Sequence, residues 1–447
     1  MTSTLPADLV VIGWGKGGKT LAAKAAAAGR RVVMVERDEA MVGGACINVA
    51  CIPTKALVHS AAERRPEDDP ETYLAESLRR RDSLVEQLNA ANRAMLEGNA
   101  HVTVVMGEAE FVGPRRVSVG AGGERLEIDA AAVVINTGSA PRPGGVPGAD
   151  LPHVHDSISI QRIDHLPGRL VVVGAGAVGL EFAEMFAGFG SDVTLLSRGA
   201  ALAGEDDDVR ASVLSALADS GITVVDGVEV TEVTAATVET TGGSFEADTV
   251  LFAIGRVPAV PAGLEAAGVD VDERGFIVVD DSLRTSAENV WAVGDVNGGP
   301  QFTYISLDDY RIVGSQLLGD GGRSRTDRLA VPTTTFVTPP LSSVGLTERQ
   351  ARERGLNVRV AAKPVARLAM VPRPKTLGET RGIAKVVVDA DTDQVLGFAH
   401  HGVDSQEVVN LVALAMRTGI TASELRDGIW VHLSSTELLN ELLAALA

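Results

Sequence analysis

The chemistry-bearing stretch of this 447-residue chain is Gly43-Gly44-Ala45-Cys46-Ile47-Asn48-Val49-Ala50-Cys51-Ile52-Pro53-Thr54-Lys55, which holds both of its cysteines. Thiols this close can form and break a disulfide, and the ionised sulfur is the nucleophile in that exchange. Two separate buried thiols would not need to share one short segment between a glycine pair and a Pro-Thr-Lys sequence. The N-terminus shows no basic region followed by an apolar run and a cleavage site, so a cytoplasmic location is expected and the pair reads as catalytic rather than as a staple.

The elements before and after the cysteines explain what would feed them. Residues 8–12 read as a buried strand, followed by Gly13-Trp14-Gly15-Lys16-Gly17-Gly18, an Ala-rich helix to Ala28, and a strand over 32–35 that ends in Glu36. In such a unit Gly13 makes the tight turn, Gly15 admits a pyrophosphate and Gly18 lets helix and strand pack, while Glu36 is placed for a ribose diol. A second unit repeats the pattern, with a strand over 170–173, then Gly174-Ala175-Gly176-Ala177-Val178-Gly179, a helix over 180–189 and a strand over 193–196. Two units imply two dinucleotides. At the second acidic position stand Ser197 and Arg198, which suit a 2′-phosphate, so NADPH is expected over NADH.

Other segments supply the frame. A helix is expected through Lys55 to Ala62, a surface loop over 64–70, and a long charged helix over 75–98 that reads as a solvated face. Asn136-Thr137-Gly138-Ser139 turns after a buried strand at 130–135, and another strand-turn ends at Gly255. Asp295 closes a strand within TSAENVWAVGD, where it could contact a polyol or cap the helix expected over 301–311. The Pro- and Thr-rich stretch 331–344 marks a boundary before an α+β region without a glycine fingerprint, near whose end His432 precedes Glu437 by five positions.

With 45% hydrophobic and 22% charged residues and 48 glycines, the composition is that of a soluble α/β enzyme. A formal charge of −19 argues against nucleic acid or an anionic membrane surface as partner, and no apolar run reaches the roughly 18 residues of a membrane span.

Taken in order, GxGxxG, GGACINVACIPTK, the second GxGxxG, TSAENVWAVGD and the His-to-Glu segment resemble the pyridine nucleotide-disulfide oxidoreductases, the family of glutathione reductase, dihydrolipoamide dehydrogenase and mercuric reductase. Residues 301–313 and 337–348 are similar to the reactive-chlorine-resistance flavoproteins, mercuric-reductase relatives associated with copper(II) reduction. The resemblance implies two Rossmann-like domains and a dimerisation domain: an FAD-binding domain from 1–152 and 279–329, an NAD(P)H-binding domain at 153–278, and an α+β interface domain at 330–447. It implies FAD held by Gly13, Gly15, Gly18, Glu36, Gly44, Thr137, Gly138 and Asp295, and NADPH held by Gly174, Gly176, Gly179, Ser197, Arg198 and Gly255. Cys51 would be the thiolate beside the flavin and Cys46 the outer thiol. Lys55 and Glu181 match an ion pair near flavin N5. His432, held by Glu437, matches an acid/base supplied across an obligate homodimer.

The chain also departs from the family pattern. Leu433 replaces the usual Pro after the His, Ala45 and Ala50 replace Thr and Gly around the cysteines, and Trp430 stands where dihydrolipoamide dehydrogenases carry a second His. A further cysteine pair and an N-terminal metal-binding segment are lacking, which disfavours standard mercuric and thioredoxin reductase chemistry. The expected activity is electron transfer from NADPH to a small disulfide or to copper(II) or mercury(II). A flavin-level oxidase or diaphorase and a non-catalytic redox sensor are the competing readings.

Overall fold

The computed structural model describes residues 4–121 and 124–446; Met1–Ser3, the start of the N-terminal stretch read above, lie outside it. The chain forms two compact units: Met1–Leu57, Glu76–Arg142 and Gly255–Asp327 in one, Val58–Ala75, Pro143–Ile254 and Arg328–Ala447 in the other. The architecture is mixed α/β, with dinucleotide-type parallel sheets and an antiparallel sheet in the C-terminal region.

The first unit is built on a five-stranded parallel sheet, in the order Val290–Ala292, Val133–Ile135, Leu9–Ile12, Val32–Glu36, Val102–Met106. Its inner strands are continuous apolar runs because both faces are covered, one by a cluster around Val11, Leu21, Met34 and Val134, the other by one around Val10, Val33, Phe111 and Ile128. A mixed four-stranded sheet runs Thr4–Ala7, Glu124–Ala130, Arg116–Ala121, Glu108–Gly113. The expected surface loop ends at Pro70, which opens the Pro70–Glu97 helix as a first-turn proline can.

The second unit carries its own five-stranded parallel sheet, Val154–His155, Thr249–Phe252, Arg169–Val173, Asp192–Ser197, Thr223–Asp226. It also holds a five-stranded antiparallel sheet, Thr333–Thr335, Leu341–Gly345, Val395–His401, Ile383–Asp389, Val358–Pro364. The stretch over 331–344 thus forms strands of that sheet. No helix among the described residues is long and apolar enough to cross a membrane.

Lys385 ties the parts of the second unit together. It is 5% exposed, and its ammonium lies 3.1 Å from Asp206, 3.0 Å from Asp208 and 2.9 Å from Glu348. Asp206 also accepts the backbone N–H groups of Glu348 and Arg349. Burial alone would raise the Asp206 pKa, but those N–H groups and Lys385 outweigh it and hold it low; Glu348 is lowered chiefly by its bond to Lys385. Lys385→Met strands three carboxylates and is expected to cost about 3 kcal/mol in urea unfolding. Because both carboxylates have folded pKa values below their ordinary ones, their contribution is present above the ordinary carboxylate range and disappears as pH falls through the folded values. The gap between wild type and Lys385→Met should therefore narrow in acid.

Candidate active site

In the first unit, the Leu9–Ile12 strand turns into the Lys16–Ala27 helix through a loop that only glycine permits. Gly13 has φ 96°, and a Cβ there would lie 2.6 Å from the Asn136 carbonyl oxygen. On Gly15 a Cβ would meet Asn136 Nδ2 at 2.5 Å, and on Gly18 it would meet Val11 at 2.7 Å. Asn136 is the reason: its amide donates to the Gly13 carbonyl at 3.1 Å and fills the space that side chains would need. Glu36 ends the Val32–Glu36 strand, and its Oε2 accepts the Trp14 N–H at 2.9 Å. Burial pushes the Glu36 pKa up, against the hydrogen bonds from Trp14, Asp38 and Arg37.

The cysteine stretch rests on this loop. Gly43 (φ 98°) and Gly44 (φ 86°) turn the chain, and a Cβ on Gly44 would lie 2.7 Å from the Gly15 Cα. Cys51 opens the Cys51–Glu63 helix, which contains the helix expected through Lys55 to Ala62, while Cys46 lies in a separate short helix, Ala45–Asn48. Both cysteines are half-buried free thiols. Their mutual hydrogen bond is the largest influence on each: it raises Cys46, with burial adding to the rise, and it lowers Cys51 to about 6, helped by Thr303 and Lys55. The proton stays on Cys46 and the charge on Cys51.

Thr303, at the start of the Thr303–Leu318 helix, places its hydroxyl 3.4 Å from the Cys51 sulfur. The same helix supplies Asp309, which accepts from Gly294 N at 2.6 Å and Asn297 at 3.2 Å and so fixes the turn that carries Asp295. Asp295 does not cap this helix, whose N-cap is Phe302; its Oδ2 instead accepts the Ser139 hydroxyl at 2.6 Å. Arg256 donates to the same hydroxyl at 2.7 Å. Beside this group, the Thr137 hydroxyl is buried with no protein partner, and Gly138 has φ 71°. A buried hydroxyl of this kind, the sharply limited glycine loop and the Glu36 carboxylate fit a dinucleotide that brings its own hydrogen-bonding groups. Asn136 and Ser139 lie in the turn expected after the buried strand, but their partners, like those of Thr303 and Arg256, follow only from tertiary packing.

The second unit repeats the glycine logic. A Cβ on Gly174 would lie 2.5 Å from the Ala253 carbonyl oxygen, and one on Gly179 would clash with the Gly174 carbonyl oxygen, whereas no protein atom lies within 4 Å of a Cβ on Gly176. Gly176 is the N-cap of the Ala177–Phe189 helix without a side-chain cap, which suits an anionic phosphate. Ser197 is buried at the end of its strand and Arg198 is exposed. Gly255, in the first unit, has φ 105°. Glu181 is 4% exposed and accepts the Phe336 N–H at 3.0 Å.

His432 lies on an exposed loop with its Nδ1 2.9 Å from Glu437 Oε1, while Glu437 Oε2 accepts the Leu433 N–H at 3.0 Å and the Ser434 N–H at 3.2 Å. Burial opposes ionisation of Glu437, but His432 and these N–H groups prevail and lower its pKa. Leu433 has φ 71°, a region closed to proline, and donates a hydrogen bond that proline lacks. The family's usual residue is incompatible with this loop as it stands. Around it Ile429 is 99% and Val431 80% exposed, while Trp430 packs on the C-terminal core.

Two family models match: pyridine nucleotide-disulphide oxidoreductase over residues 7–309, and the dimerisation domain of that family over residues 331–443. RclA of Escherichia coli (strain K12) is 43% identical over 97% of this chain and 98% of its own length. A mercuric reductase of Bacillus cereus is 32% identical over 96% of this chain and 70% of its own. A solved structure described as the Cu(II) complex of HOCl-induced flavoprotein disulfide reductase RclA from Escherichia coli superposes with a TM-score of 0.94 at 41% identity, covering 99% of this chain and all of that one.

The asymmetry of the thiols is measurable. In the dithiol form, thiolate absorbance absent from Cys51→Ser should appear with a midpoint about pH 6 and be lost as pH falls through it. Thr303→Val removes one hydrogen bond to that sulfur and should raise the midpoint by about half a unit to one unit. An unmoved midpoint would contradict the Thr303 assignment.

Proposed function

Because the chain belongs to the pyridine nucleotide-disulphide oxidoreductases, we propose that it carries electrons from NADPH through FAD and the Cys46/Cys51 pair to a small oxidant, either a low-molecular-weight disulfide or a metal ion such as copper(II) or mercury(II). At the coarser level it is a pyridine nucleotide-dependent disulfide or metal-ion reductase of an FAD-dependent family. The observation that carries the finer reading is the hydrogen-bonded thiol pair on the unit that holds the first glycine loop, with Gly44 seated on Gly15.

FAD, when bound, supplies the hydride-accepting and two-electron-donating chemistry that the side chains lack. Gly13, Gly15, Gly18, Gly44 and Glu36 would hold its dinucleotide portion, with Thr137, Gly138 and Asp295 meeting other polar groups. For NADPH, Gly174, Gly176 and Gly179 would receive the pyrophosphate and Ser197 and Arg198 the 2′-phosphate. Cys51 holds the resting charge, and Lys55, one turn further along its helix, favours that charge. Cys46 attacks a disulfide substrate to form a mixed disulfide and release one thiolate. Cys51 then attacks the Cys46 sulfur, closing the internal disulfide and releasing the second. With copper(II) the same two electrons reduce two ions; with mercury(II) they reduce one.

His432 of the partner subunit, oriented by Glu437 of the partner subunit, would exchange the proton of Cys46. The dimerisation-domain match supports a homodimer, and so do the exposed apolar side chains on either side of His432.

The test is acceptor reduction by the purified flavoprotein with NADPH, using copper(II), mercury(II), small disulfides and quinones. Cys46→Ser should lose at least about a hundredfold on the physiological acceptor, as removal of a covalent nucleophile does. Full turnover in that variant would show that electrons leave at the flavin. For the nucleotide, kcat/KM should favour NADPH over NADH, and Arg198→Ala should cut that ratio about tenfold through loss of a charge-assisted hydrogen bond. An NADH preference in the wild type would reject the Ser197/Arg198 assignment.

A further inference from the structure

Lys19 lies on the Lys16–Ala27 helix, directly after the glycine fingerprint, and is only 6% exposed. A buried ammonium needs a reason, because taking a cation out of water is costly unless polar groups replace it. Its Nζ donates to the Gly43 carbonyl at 2.9 Å and to Asn92 Oδ1 at 2.5 Å. Asn92 comes from the Pro70–Glu97 helix, whose Asn89 donates to the Val42 carbonyl at 3.1 Å. Asn48, two residues beyond Cys46, donates to the carbonyls of Val42 at 2.9 Å and Gly44 at 3.0 Å. The turn Val42–Gly44 leading into Cys46 is therefore held by two amides and one cation, and the helix expected to be a solvated face supplies one of those amides, Asn89, and the anchor of the cation, Asn92.

We propose that Lys19 is a positioning residue for Cys46: its buried ammonium, anchored on Gly43 and Asn92, both fixes the turn before Cys46 and provides the positive field that lets the Cys46 sulfur ionise. The Cys46 thiol is raised by its hydrogen bond to Cys51, by burial and by the Cys51 charge, and it is lowered by Thr303 and Lys19. Lys55 acts on Cys51. Burial brings Lys19 down to about 8, with Lys16 repelling it and Cys46 attracting it, so it is cationic at neutral pH. The two lysines thus divide the pair, Lys55 with the inner sulfur and Lys19 with the outer one.

This inference rests on the reading of Cys46 as the substrate-side thiol, and its test uses no acceptor. In the FAD-loaded Cys51→Ser protein Cys46 is the sole thiol, and its rate of alkylation by iodoacetamide is followed against pH. Adding Lys19→Gln keeps a hydrogen-bond donor toward Gly43 but removes the charge. The profile should move to higher pH by about one unit with the same plateau, a roughly tenfold slower reaction at neutral pH. An unmoved profile, or a lower plateau at an unmoved midpoint, would assign Lys19 a purely structural role and overturn the proposal. If Lys19→Gln does not retain FAD, Asn92→Asp decides: a carboxylate on the same ammonium cancels its field, so the profile should move the same way, and no movement overturns the proposal. Turnover retained in Cys46→Ser would instead reject the proposed function, leaving the alkylation result to stand separately.

Discussion

The first unit depends on the approach of a side-chain amide and a backbone to Gly15. On one side Asn136 sits where a Cβ would be, at 2.5 Å; on the other Gly44 stacks so closely that its own Cβ would lie 2.7 Å from the Gly15 Cα. These contacts put the cysteine turn directly on the first glycine loop, so that loop and cysteine pair form one packed object rather than two motifs joined by a linker. The left-handed turns at Gly43 and Gly44 follow from it, since an L side chain at either position would be strained and would also meet a neighbour.

Within that frame, electrostatics rather than sequence order distinguishes the thiols. Each sulfur is desolvated, so one ionisation makes the second unfavourable, and whichever cysteine has the better supply of donors keeps the charge. Cys51 has Cys46 itself, Thr303 and the nearby Lys55. Cys46 has a weaker supply, which leaves it protonated while Cys51 is a thiolate and makes any cation near it consequential.

Much of this was legible in the sequence because glycine spacing and thiol pairing report backbone constraints directly. The two fingerprints, Glu36, the cysteine pair and the parallel strands needed no tertiary information. Thr303, Ser139, Arg256 and Asn92 did: each reaches its partner across sheet order or between distant helices, and none has a local pattern to mark it. The polar face of Pro70–Glu97 reads as solvated because Asn is polar anywhere, yet Asn89 donates to the buried turn at Val42 and Asn92 accepts from the buried Lys19 ammonium. For Asp295 a helix cap is the lesser alternative to a polyol contact, and its place inside the Gly294–Asn297 turn, well before the Phe302 N-cap, removes the cap role.

The loop at His432 shows how a departure from the family pattern can be absorbed. Glu437 accepts from His432, Leu433 and Ser434 at once, so the carboxylate organises the loop through backbone N–H groups that a proline at 433 would have interrupted. Leu433 accepts a left-handed backbone in return, at about 1 kcal/mol. Its neighbours Ile429 and Val431 turn outward beside a histidine that is itself exposed, and burying either would contribute roughly 1.5–3 kcal/mol. The cost of the left-handed turn is thus set against three hydrogen bonds to one carboxylate, and the substitution is tolerable within the loop's own geometry.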